Sequence, residues 1–105
     1  MKVDLKTEIK DEKNEVIFLD ETKREALTLS HVIVVALQTP LKGDEEDSGE
    51  QRIKKFNIMK SMHTSKDSKI DIESADVAMI KERVLKIYPT PVVYGRVCEI
   101  FGDKK

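Results

Sequence analysis

The sequence predicts an α+β fold, mainly helical, in which an N-terminal β-hairpin packs against three or four α-helices. Residues 3–9 alternate Val3, Leu5, Thr7 and Ile9 with Asp4, Lys6 and Glu8, the period-two pattern of a strand with one buried face. From residue 28 onward, apolar residues return instead at helical spacing, in segments bounded by capping residues, prolines and glycines. With 105 residues the chain has the length of one small domain, expected over residues 1–105.

The hairpin is expected over residues 3–20. Asp11-Glu12-Lys13-Asn14 is its turn, with Asn14 able to take a left-handed backbone, and Val16–Leu19 is rich in strand formers. A two-stranded hairpin is marginal in water, so its apolar face must rest on the helices or pair with another chain. Thr28 and Ser30 can cap a first helix over 28–38, although the β-branched run Val32–Val35 would also suit a strand. As a helix, this segment places Leu29, Val32, Ile33, Ala36 and Leu37 on one face and leaves Val34 and Val35 off it.

Residues 40–49 are acidic and glycine-bearing, and predict a mobile loop. Ile53, Phe56, Met59 and Met62 recur at three-residue steps, predicting a helix over 50–63 with Arg52, Lys54, Lys55 and Lys60 mostly on its wet side. After an exposed connector, Ile70-Asp71-Ile72 reads as a short extended segment. Ser74 then caps a helix over 74–88, whose expected core stripe is Val77, Ile80, Val84, Leu85, Ile87 and Tyr88. Pro89 marks a corner. In the last helix, over 91–101, Thr90 and Pro91 fit the N-cap and first position, Gly102 fits the residue past the end, and Val93, Val97, Ile100 and Phe101 form the stripe. Gly95 inside it predicts close backbone packing.

Charged residues make up 37% of the chain, but 19 cations balance 20 anions. A net charge of -1 gives no long-range pull toward nucleic acid or anionic membranes. The longest apolar run, Val32–Leu37, falls far short of the roughly 20 residues of a membrane span. Cys98 is the single cysteine, so an internal disulfide is excluded, and its apolar neighbours predict a core position. Without a signal-peptide pattern, the expected location is the cytoplasm.

Chemistry is sparse. The acidic loop resembles the start of an EF-hand, but counting Asp44 as position one puts Lys55 at position twelve, where calcium requires a bidentate carboxylate. His31 and His63 are the only imidazoles and lie on separate segments, so neither a zinc site nor an activated nucleophile assembles. No catalytic, cofactor or metal residue is therefore assigned, and a non-enzymatic protein is expected. Tyr88, Tyr94 and Met79 cluster around the inter-helix corner with the composition of contact surfaces, and with Val34 and Val35 they form the predicted partner-binding set. Ordinary packing within the chain explains the same residues. Arg52, Lys54, Lys55 and Lys60 form the alternative set, for nucleic acid, opposed by the neighbouring acidic loop.

The pattern Leu27-Thr-Leu-Ser-His-Val with Ala36-Leu37, then Arg52, Lys55-Phe56, Ala75-Asp-Val-Ala-Met-Ile-Lys81 and Tyr88-Pro-Thr-Pro-Val-Val-Tyr-Gly95 resembles small uncharacterised proteins encoded in tailed-phage and prophage genomes. The likeness spans most of the chain. It implies a viral accessory or structural-assembly protein, in the bacterial host cytoplasm or on the virion, and carries over no site residue; the partner-binding set itself leads to the expectation of a protein partner, from phage or host or a second copy of the chain.

Overall fold

The described residues of the computed structural model are 2–20, 22, 25–65, 68–88 and 90–102. In chain order they form strands β1 (Lys2–Asp4), β2 (Phe18–Asp20) and β3 (Glu25–Ala26), helices α1 (Leu29–Gln38) and α2 (Gly49–Thr64), strand β4 (Lys69–Asp71), and helices α3 (Ser74–Ile87) and α4 (Pro91–Ile100). The architecture is α+β and mainly helical, as expected, with a small hairpin near the N-terminus.

The hairpin sits further along the chain than the alternation implied. Asn14 takes the left-handed conformation at φ 65°, and the Asp11 carboxylate accepts from the amides of Lys13 and Glu15 at 2.9 Å each. That turn brings Lys10 opposite Val16. The segment after Val16 then pairs with a different partner, in the antiparallel pair β2–β3. Leu27 joins the two: its N–H donates to Ile17 and its carbonyl accepts from Ile9, both at 2.7 Å.

Residues 2–4 do not pair with 16–20 but form an antiparallel pair with β4, Val3 facing Ile70. Both are buried, so the cross-strand contact covers two apolar side chains that a hairpin with Phe18 and Leu19 would have left against exposed neighbours. The extended reading of 70–72 thus holds, and its partner is the start of the chain.

Helix α1 settles the ambiguity of Val32–Val35. Thr28 accepts from the His31 amide, and the five residues expected on the core face are the buried ones. With a good cap and one fully apolar stripe, tertiary burial outweighs the modest helix penalty of β-branched residues. Helix α2 starts at a reciprocal capping box, in which Ser48 Oγ accepts from the Gln51 amide at 3.1 Å and Gln51 Oε1 accepts from the Ser48 amide at 2.9 Å. In α4 the proline sits at the first position after Thr90, and Gly102 takes φ 84°, as the sequence signals required. Pro89, at the corner before it, lies outside the described residues, as do Lys66 and Asp67 of the connector.

One apolar cluster joins β1, α1, the C-terminal half of α2, β4, α3 and α4. Several finer expectations change. In α3 the cap is Glu73 and Ser74 is the first helical residue. Leu85 is 54% exposed: it lies about 140° around the helix from Ile80, outside a stripe centred on Ile80 and Val84. Cys98 is half-buried and its thiol is free. A Cβ added to Gly95 would meet nothing within 4 Å, so no close backbone packing explains that glycine.

The acidic segment is organised, not a featureless loop. Gly43 takes φ 99° and starts a single 3-10 turn over Asp44–Glu46. Asp44 accepts from the Leu41 amide at 2.7 Å and is bound by Arg83.

Candidate protein-interaction surface

Arg83 lies on the apolar side of α3 and is 8% exposed. A buried guanidinium has to find acceptors for its N–H groups. Its Nε donates to the Ala36 carbonyl, and its Nη2 donates to the Thr39 carbonyl at 2.9 Å. These are carbonyls at the end of α1, where intrahelical donors have run out and positive charge suits the helix dipole. The rest of the fork grips Asp44, Nη1 to Oδ1 at 2.8 Å and Nη2 to Oδ2 at 3.0 Å. That grip, with the Leu41 amide, holds the Asp44 carboxyl well below the usual carboxylate range, and the same pair raises Arg83 above its ordinary value.

Lys55 extends the network to α2. Its ammonium bonds the Asp47 carboxylate and lies 3.6 Å from Asp44. Lys54, one position earlier, pairs with the nearly buried Asp76 of α3 at 3.2 Å. The N-terminal half of α2 is therefore held by ion pairs and a capping box, while the buried apolar residues of α2, Ile58 and Met62, lie in its C-terminal half. Ile53 and Phe56 stand out from the ion-paired half, 60% and 58% exposed.

Beside them runs an open groove of about 460 Å³ between α2 and the segment that leaves α1. Leu37, Pro40, Leu41, Phe56 and Met59 give it an apolar lining, and Glu45 and Arg52 line it with opposite charge. Two large apolar side chains one helical turn apart, next to such a groove, are the feature of this surface least expected of a side chain merely left in water.

The structure distributes the sequence-predicted residues differently. Val34, Met79, Tyr88 and Tyr94 are half-buried against the core, and Val35 is half-buried. Burial raises the Tyr88 phenol above its ordinary value. None of these five residues lines the α2 groove; Met79 lines instead the cleft between α2 and α3. In the basic set, Lys54 and Lys55 are engaged by carboxylates, and only Arg52 and Lys60 are exposed without an ion pair among the described residues. That leaves little free charge for a phosphate backbone. Among the described residues no group of three or more His, Cys, Asp or Glu side chains is placed to hold a metal. No helix among them is long and apolar enough to cross a membrane.

Sequence reasoning missed Arg83 and counted Ile53 and Phe56 in the apolar stripe of α2, where the structure leaves both exposed. The signal for Arg83 was present: with Asp76, Ile80 and Ile87 it forms an i, i+4, i+7, i+11 row on α3, so a cation is embedded in the row that carries Ile80. No family model, no curated protein and no solved structure matches this chain.

Proposed function

We propose that this chain is a non-enzymatic accessory or structural-assembly protein of the tailed-phage and prophage kind, and that it acts by binding another protein through the exposed face of α2 and the groove beside it. The observation that carries the binding reading is the exposure of Ile53 and Phe56 against an apolar groove whose walls are fixed in place by the Arg83, Asp44 and Lys55 network. A rigid groove loses little conformational freedom on binding, which favours association over a surface of modest area. The phage setting, with action in the host cytoplasm or on the virion, rests on the sequence resemblance. Nucleic-acid binding ranks behind, because two of its four candidate cations already have carboxylate partners.

A photoreactive phenylalanine analogue tests the surface directly. Placed at position 56 in the expressing cell, it should give a discrete covalent adduct, and at Glu12, on the hairpin turn beside α4, it should not. Equal adducts at both positions, or none at position 56, would overturn the assignment.

A further inference from the structure

We infer that the occupant of the α2 groove is a second copy of this chain, docked about a two-fold axis. This rests on the protein-binding reading above and names its partner. The argument is that a knob and a hole lie side by side on one face. Phe56 and Ile53 project from α2, and Phe56 forms the rim of a groove whose other apolar walls are Leu37, Pro40, Leu41 and Met59. A surface carrying both halves of a contact can satisfy itself when a second copy is rotated by half a turn, and such isologous contacts close into dimers instead of extending into fibres.

Charge points the same way. Asp44 and Asp47, which would otherwise make the groove wall strongly acidic, are neutralised within the chain by Arg83 and Lys55. What remains on the groove is one exposed acid, Glu45, and one exposed base, Arg52, neither in an ion pair among the described residues. Under two-fold docking, with Phe56 of each copy entering the other's groove, Arg52 of one copy meets Glu45 of the other twice over. The complement to an acid, an apolar floor and a base is thus a base, an apolar knob and an acid, which α2 and the 3-10 turn present.

The test is solution mass by sedimentation equilibrium between about 1 μM and about 1 mM, a range that brackets a dissociation constant of some tens of micromolar. The mass should rise from 12.0 kDa to twice that value. Phe56→Ser should weaken dimerisation at least tenfold while leaving the circular dichroism unchanged, since the ring is largely exposed. Arg52→Glu and Glu45→Arg, each alone, place like charges at both contacts and should each be monomeric over most of the range. An equimolar mixture of the two should regain the dimer, because a heterodimer restores opposite charges at both contacts. Rescue by mixing cannot come from effects within one chain. A mass of 12.0 kDa at every concentration, dimerisation indifferent to Phe56→Ser, or a mixture no more associated than its components would each overturn the inference. Failure here is separable from failure of the binding reading: a monomer whose position-56 analogue still gives an adduct with a different protein removes only the second copy, whereas a monomer with no adduct removes both.

Discussion

At the residue scale, a guanidinium on the apolar side of α3 poses the problem of where five N–H donors can go. Arg83 answers it with two carbonyls at the end of α1 and the Asp44 carboxylate, so a single side chain fixes the end of one helix, the 3-10 turn and, through Lys55, the start of another helix. Arg83→Leu takes the guanidinium away from the two carbonyls and from Asp44, which keeps only the Leu41 amide and Lys55, and should cost roughly 2–4 kcal/mol in urea unfolding. Arg83→Lys keeps the charge but not the planar fork, and should recover only a minority of that loss. The pair also sets an acid limit. Asp44 titrates below its unfolded value of about 3.9, so its contribution is fully present above that pH and disappears as pH falls toward the folded value. The stability gap between the native chain and Asp44→Asn should therefore narrow as pH is lowered from about 5 to about 2; a constant gap would mean the carboxylate is not stabilised by its partners.

At the element scale, the helices differ in how well their sequences announce them. In α1 the buried set follows from the spacing, because Leu29, Val32, Ile33, Ala36 and Leu37 stay on one side of a 3.6-residue period. In α2 the strict three-residue step misleads. Each step falls about 60° short of a full turn, so the row from Ile53 to Met62 winds about 180° around the helix, and only its far end reaches the core. The face that seemed to be core is the candidate interface. The hairpin was legible at its turn, through Asn14, but not in its pairing, since nothing local in residues 3–5 distinguishes residues 16–20 from residues 69–71 as a partner. Gly95 gives an element-level prediction. It is exposed inside α4 with open space around its missing Cβ, so Gly95→Ala should raise stability by about 0.5–1 kcal/mol through helix propensity alone. No gain in thermal or urea midpoint would show that something covers that position.

At the scale of the whole molecule, one apolar cluster serves the first strand, the last helix and most of what lies between. An undivided core makes unfolding cooperative. Far-UV circular dichroism and tyrosine fluorescence should therefore report coincident transitions, the latter from Tyr88 and Tyr94 in a chain without tryptophan. Two separated transitions would mean that the ion-paired half of α2 melts as its own unit. The fold class was legible because it depends on periodicity and caps, which are local. The candidate surface was only partly legible, because whether an apolar residue on a helix is covered depends on how far neighbouring elements extend, and the ion pairs that replace apolar burial at the start of α2 join residues distant in sequence.

Arg96 on α4 donates to the carbonyls of Lys10 at 3.0 Å and Asp11 at 2.6 Å. The turn at the start of the chain is thus fastened by a side chain 86 and 85 positions later. During synthesis the N-terminal third emerges long before its fastening exists, and until α4 has left the ribosome the hairpin has neither that clamp nor, before β4 appears, a partner for β1. Closing loops of that length is slow and exposes apolar strands in the interval. A nascent chain of this protein therefore keeps β1 without its partner until β4 is made and the turn without its clamp until α4 is made, and for these two contacts the order in which the sequence is made works against the order in which the fold can close.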